Sequence, residues 1–278
     1  MKDLITDAHQ HFWQLGRFEF FWMTPERQAL RRDFLPSDLQ PLLRRLGIDR
    51  SVVVQTHASH AESLWLLELA SAHDFLAGVV AWTDLTSTGL GRVLDEFQRH
   101  PKFKGIRHPL EAEPDDSWVV KPSVIEGLRE LERRDIPFDL VIFPRHLKYI
   151  TEVRRCCPKL RLVIDHLAKP AIASGEFESW AREVENVAHL PEVWCKLSGM
   201  VTEANQQNWK PEDLKPYVDH VVRQFGYERV IFGSDWPVCV LAASYEQVVY
   251  ALRYALGPLQ EIEAARVWGR NAAAYYNL

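Results

Sequence analysis

The sequence predicts a single-domain α/β fold, a (β/α)8 TIM barrel spanning residues 1–278, and three observations lead there. Eight short runs rich in β-branched residues alternate with longer amphipathic stretches of helical period. Strands that alternate with helices build a parallel sheet with right-handed crossovers, and eight such units are the count at which the sheet closes on itself. The 278 residues suit a barrel, for which roughly 250 is typical. An open doubly wound sheet is the alternative, but no Gly-rich phosphate loop follows any strand candidate and no linker or repeat divides the chain.

In chain order the strand candidates are LITDAHQH (4–11), SVVVQTH (51–57), LAGVVAWTDL (76–85) and FKGIRHPL (103–110). FDLVIF (138–143), RLVIDHLAKP (161–170), VWCKLSG (193–199) and RVIFGSDWP (229–237) complete the eight. Helices are expected between them, at DLQPLLRRLG (38–47), AESLWLLELASAH (61–73), GLGRVLDEFQRH (89–100) and LKYITEVRRCC (147–157). Two more start at capping boxes, Ser123 with Glu126 and Ser244 with Gln247, where a hydroxyl and a longer polar side chain satisfy each other's backbone donors.

The charge balance narrows the partner. The 33 basic and 38 acidic residues give a net charge of -5 with no block of one sign, which argues against a nucleic-acid or anionic-membrane surface and for a small ligand. No apolar run approaches the roughly 18 residues that span a bilayer. The N-terminal MKDLITDAHQHFW carries acids and histidines where a signal peptide needs an apolar stretch, so a soluble cytoplasmic chain is expected. Of the four cysteines, Cys156 and Cys157 are adjacent, a poor start for a disulfide framework, and reduced thiols are the reading.

Reactive groups of a barrel sit at the C-terminal ends of its strands. There the sequence places His9 and His11, His57, Asp84, Arg107 and His108, His166, Lys196 and Ser198, and Asp235, from seven strand candidates. A strand alternates its side chains with period two, so His9 and His11 are expected to point to one side, with Asp7 on that face one step lower. Taken singly, His166 reads as a buried histidine bonded to a carbonyl, and Asp235 as a turn residue before Pro237. Those readings leave unexplained why His9, His11, His166 and Asp235 all fall at the same end of different strands, the arrangement that gathers distant positions around one centre.

The pieces DAHQHFW (7–13), KGIRHPL (104–110), VIDHLAKP (163–170), KLSG (196–199) and FGSDWPV (232–238), in that order, resemble the amidohydrolase superfamily of metal-dependent hydrolases. They are similar in particular to its lactonase branch, which holds sugar-acid lactonases of the L-fucono and L-rhamnono type and 2-pyrone-4,6-dicarboxylate lactonase. By position the resemblance carries His9 and His11 onto the family's His-x-His, His166 onto its later-strand histidine and Asp235 onto its last-strand aspartate. Two-metal members bridge their ions with a carboxylated lysine or a glutamate. Here that point offers Arg107 and His108, which argues against a binuclear site.

Three histidines and an aspartate suit one divalent ion, zinc foremost, with a position open for water. A lactone is an activated ester whose carbonyl protonated histidine and arginine can also polarise. The resemblance includes lactonases that need no divalent metal, so the ion is an optional cofactor in this reading. Asp235 is expected to take a proton from water and return it to the leaving ring oxygen, while His9, His11 and His166 polarise the carbonyl.

Arg107 and His108 are candidates to hold substrate oxygens, and His57, Trp13, Trp22, Trp118 and Trp236 to line the pocket, since indole faces pack on the C–H patches of sugar rings. Trp65, Trp82, Trp180 and Trp268 read as packing residues. Basic groups near the strand ends are few (Arg107, Lys169 and Lys196, with Arg17 and Arg145 in loops), whereas Gln10, Gln14, Gln55, Thr56, Ser198 and Thr202 are neutral hydrogen-bonding groups. That mixture favours an uncharged polyhydroxylated lactone over a dicarboxylate one. A metal-dependent decarboxylase of the same superfamily and a silent sugar-acid binding protein are the other readings.

Overall fold

The computed structural model describes residues 3–278. Eight strands lie side by side in chain order, all parallel: β1 (Thr6–Gln10), β2 (Arg50–Val54), β3 (Leu76–Ala81), β4 (Phe103–His108), β5 (Phe138–Leu140), β6 (Leu162–Ile164), β7 (Val193–Leu197) and β8 (Val230–Phe232). Seven fall inside the runs that predicted them, and β2 begins one residue ahead of its run, at Arg50. Beyond the last paired strand residues, the Asp235 amide donates to the His9 carbonyl at 2.8 Å and the His11 amide to the Trp236 carbonyl at 2.7 Å. Closure of the sheet on itself is therefore made at the mouth, by the residues that carry the candidate chemistry.

The crossovers are α1 (Pro36–Leu46), α2 (His60–Ser71), α3 (Leu90–Gln98), α4 (Pro122–Arg133), α5 (Ile150–Cys156), α6 (Glu178–Ala188), a one-turn α7 (Met200–Glu203) and α8 (Pro211–Phe225). After β8 come α9 (Tyr245–Leu256), α10 (Glu261–Ala265) and α11 (Asn271–Tyr276). At the head of α9 the capping box forms as expected, Gln247 N donating to Ser244 Oγ at 3.2 Å and Ser244 N to Gln247 Oε1 at 2.7 Å. The box expected at Ser123 does not form. Proline at N1 is pre-set for the first turn, so α4 begins at Pro122 with Lys121 as N-cap.

The strands are buried on both faces. Inside the barrel Ala8, Val52, Val54, Val80, Val163 and Ile231 form one apolar cluster, which includes Tyr275 and Tyr276 of α11. The Tyr275 hydroxyl donates to the carbonyls of Phe138 and Arg161, at the N-terminal ends of β5 and β6, so α11 closes the barrel floor. The larger apolar cluster fills the space between sheet and helices and includes Trp65 and Trp180, both expected as packing residues. The four cysteines are free thiols. No helix among the described residues is long and apolar enough to cross a membrane.

Candidate active site

A break in strand period builds the first half of the site. Pairing of β1 with β2 slips from Asp7 opposite Ser51 to Gln10 opposite Val53, a bulge of one residue. The extra residue lets Ala8 join the interior valines while His9 also turns inward. Gly233 makes this fit: a Cβ there would stand 2.6 Å from the His9 Cβ. Asp7 does not stand below the histidines on their face as the period-two reading expected. It accepts from Ser234 N and Oγ at 2.9 and 2.6 Å and from the Tyr245 hydroxyl at 2.9 Å, and burial pushes its carboxyl up to about 6.

The second half is built by a strained turn. His166, Leu167, Ala168 and Lys169 follow β6 with φ of 53, 53, 59 and 51°, four successive non-glycine residues in the left-handed region, where each costs about 1–2 kcal/mol. The Lys169 amide donates to the His166 carbonyl and the Trp180 indole N–H to the Leu167 carbonyl, both at 2.7 Å, which holds the turn closed. It brings His166 over the barrel with Nδ1 2.9 Å from Ser198 Oγ. Gly199, at φ +64°, leaves that ring its room, because a Cβ there would lie 2.5 Å from Nδ1.

Around Asp235 Oδ1 stand His11 Nε2 at 3.3 Å, His166 Nε2 at 3.8 Å and His9 Nε2 at 3.9 Å. His11 Nδ1 lies 2.7 Å from the Val54 carbonyl and gives it its hydrogen, so in the neutral ring Nε2 presents a lone pair to the carboxylate. Two acceptors so close need a proton or a cation between them. A tetrahedral ion with ligand bonds of about 2.1 Å separates its donors by about 3.4 Å, and His9, His11 and Asp235 present donor atoms clustered closely enough to share one divalent ion, with His166 Nε2 3.8 Å from the same carboxylate oxygen. Arg107 Nη1 lies 3.3 Å from His9 Nε2, beside this set.

Burial drives His9 well below the ordinary imidazole range, with Lys196 adding to the effect and Asp165 opposing it. Burial also lowers His11, with the neighbouring Asp235 opposing it, and takes His166 down to about 4 despite Asp235 and Asp165 nearby. The rings are therefore neutral at physiological pH. Burial alone would raise Asp235, but the His166, His11 and His9 imidazoles around it outweigh burial and hold its carboxyl below the ordinary range.

The cavity above has a volume of about 750 Å³. His11, His166, Asp235, Arg107, His57 and Trp22 are on its wall, the Trp22 N–H donating to the Thr56 carbonyl at 3.1 Å. Trp13, Trp118, Trp236 and His108 stand off the wall. Trp13 is buried with its N–H donating to the Leu30 and Arg32 carbonyls, and Trp236 packs against Phe12 and Phe34. His108, which follows Arg107 on β4 and so faces the other way, stacks on Trp118 at 4.0 Å and lies 2.7 Å from Glu113 Oε1. Asp84 caps its own turn through Thr86.

Four groups at the site went unassigned in the sequence. Asp165 is fully buried between His9, Lys196 and Arg107, and Lys196 and His9 outweigh its burial to hold it well below the usual carboxylate range. The clue was an acid directly before His166 in an otherwise apolar strand end. Glu111, Phe143 and Glu203 line the cavity from loops and a one-turn helix, Glu111 in an ion pair with Lys169. Nothing in their local sequence marks them.

A parallel barrel whose mouth gathers a His-x-His from β1, a histidine after β6 and an aspartate after β8 is the architecture of an amidohydrolase. Residues 6–278 match the family model described as Amidohydrolase, and the chain belongs to that family. It is 41% identical over 281 residues to an L-fucono-1,5-lactonase of Burkholderia ambifaria, an alignment that covers 98% of this chain and 95% of that protein. An L-fucono-1,5-lactonase of Burkholderia multivorans is 36% identical over 292 residues, covering 100% of this chain and 97% of the relative. The crystal structure of an amidohydrolase from Burkholderia multivorans with bound zinc is similar at a TM-score of 0.94 and 36% identity, covering 99% of both chains.

Proposed function

We propose that the chain hydrolyses a neutral sugar-acid lactone of the L-fucono or L-rhamnono kind, with Asp235 activating water. The observation that carries this reading is Asp235 on the wall of a charge-balanced cavity. The lining cations Arg27, Arg107 and Lys169 face the carboxyls Glu111, Glu203 and Asp235. Lys169 is paired with Glu111 and Arg107 with Asp165, so little positive charge is left for a dicarboxylate. The likeness to two L-fucono-1,5-lactonases supports the same choice.

His9, His11, His166 and Asp235 would hold one divalent ion, zinc foremost, which when bound would supply Lewis acidity toward the lactone carbonyl. The residues themselves account for the proton transfers. Asp235 takes a proton from water as its oxygen attacks the carbonyl carbon. Arg107, fixed by Asp165 and the Gln55 carbonyl, stabilises the negative charge that develops on the carbonyl oxygen. When the ring C–O bond breaks, Asp235 returns the proton to the departing ring oxygen. The product is an open-chain hydroxy acid that ionises and acidifies the medium. Trp22 and Phe143 offer aromatic faces to the C–H side of the ring.

A pH-indicator assay of L-fucono-1,5-lactone, L-rhamnono-γ-lactone and 2-pyrone-4,6-dicarboxylate, with and without chelator, tests the reading. Faster hydrolysis of the neutral lactones is expected. A higher kcat/KM for the dicarboxylate, or release of CO₂ from an aromatic acid with no lactonase activity, contradicts it.

A further inference from the structure

A chain of buried polar contacts runs along the barrel axis from the floor to His9. The Tyr276 hydroxyl of α11 donates to Asp139 Oδ2 at 2.5 Å, and Lys196 Nζ donates to the same oxygen at 2.6 Å. Lys196 Nζ also lies 2.9 Å from Asp165 Oδ1 and 3.1 Å from His9 Nδ1. Asp165 Oδ1 is 3.3 Å from His9 Nδ1, and Oδ2 accepts from Arg107 Nη1 at 3.2 Å. Tyr276, Asp139, Lys196, Asp165 and His9 are all essentially without exposure.

Two carboxylates and two cations so deep in the barrel cancel in charge, yet desolvating them costs several kcal/mol per ion, and an apolar filling of equal volume is commonly as stable or more so. Stability alone therefore gives no reason for the set. The contacts at the two His9 nitrogens point to one. Nε2 has only the donor Arg107 Nη1 beside it at 3.3 Å, whereas Nδ1 has the buried, otherwise unsatisfied acceptor Asp165 Oδ1 at 3.3 Å; the ring proton therefore sits on Nδ1, and Lys196 Nζ, 3.1 Å from the same nitrogen, turns its hydrogens to Asp139 Oδ2 instead.

We propose that Tyr276, Asp139 and Lys196 are positioning residues that hold Asp165 against His9 Nδ1, fixing His9 in the tautomer whose Nε2 lone pair faces Asp235. The C-terminal helix is thereby part of the catalytic apparatus although it lies at the opposite end of the barrel. The inference rests on the lactonase reading only in assigning His9 to the reaction centre.

The test uses the full chain with Tyr276→Phe and Lys196→Met. Tyr276→Phe deletes one oxygen and keeps the ring whose centre lies 5.5 Å from Lys196 Nζ. Ring nitrogen shifts of His9 are read by ¹⁵N NMR in chelator-treated protein, with His9→Gln to assign the signals. Wild type should show a single Nδ1–H tautomer and both variants a mixture. On L-fucono-1,5-lactone kcat should fall about tenfold for Tyr276→Phe and about a hundredfold for Lys196→Met, the range seen when groups supporting a ligand histidine are removed, with KM within about twofold. An unchanged His9 tautomer in the variants overturns the proposal, as does an unchanged kcat beside a lowered Tm. If Lys196→Met fails to fold, Tyr276→Phe decides alone. If the lactone is not a substrate, the tautomer still does.

Discussion

Asp235 Oδ1 faces His11 Nε2 at 3.3 Å while the other nitrogen of that ring is committed to the Val54 carbonyl at 2.7 Å. A carboxylate and an imidazole lone pair held face to face repel one another until a cation joins them. Zinc added to chelator-treated protein should therefore raise Tm. At a hundredfold excess over Kd the stabilisation is about 2.7 kcal/mol, or roughly 5–10 °C for a chain of this size. His11→Gln should lose most of that shift. An equal shift in wild type and variant, by differential scanning fluorimetry, contradicts the ligand assignment.

A second prediction concerns the loop after β2, which carries His57. Glu62 of α2 is buried under it; its Oε1 accepts from Thr56 N at 3.0 Å, Thr56 Oγ1 at 2.5 Å and His57 N at 3.0 Å, and its Oε2 shares the Thr56 N–H at 3.2 Å. Burial raises its carboxyl from 4.5 to about 7, against those hydrogen bonds. The folded state thus holds a proton that the unfolded chain releases above pH 4.5. Stability is lost as pH rises from about 4.5 to 7, by roughly 3 kcal/mol for a shift of this size. Glu62→Gln keeps an oxygen for all three donors and removes the titration. Its unfolding free energy should match wild type near pH 4.5 and exceed it increasingly up to pH 7. A difference that does not change with pH refutes this.

Glu111 neutralises Lys169 on the cavity wall. Glu111→Gln frees that ammonium to pair with a substrate carboxylate, a charge-assisted contact of about 1.5–3 kcal/mol. kcat/KM for 2-pyrone-4,6-dicarboxylate should rise about tenfold or more relative to that for L-fucono-1,5-lactone. A constant ratio of the two would show that the pair does not set selectivity.

The eight strands were legible because parallel strands buried on both faces read as short runs of Val, Ile and Leu, as in SVVV and VIF. Their ends were less so. RLVIDHLAKP contains three paired residues followed by a left-handed turn that no local propensity announces, since it is held by Trp180 from α6. The bulge in β1 is likewise a tertiary feature, fixed by pairing with β2 and by the space that Gly233 leaves. His9, His11, His166 and Asp235 could be picked out because they end strands. Asp165 could not be assigned without its partners Lys196 and Arg107, which stand 31 and 58 positions away in the chain.

The most direct measurement is kcat/KM for L-fucono-1,5-lactone in wild type and Asp235→Asn. Asparagine matches the carboxylate in shape but cannot take a proton from water, and general acid–base groups contribute about 10²–10⁴-fold. The variant should keep its fold by circular dichroism and lose at least about a hundredfold in kcat/KM. Retention of activity within tenfold of wild type would contradict the central claim that Asp235 activates the water.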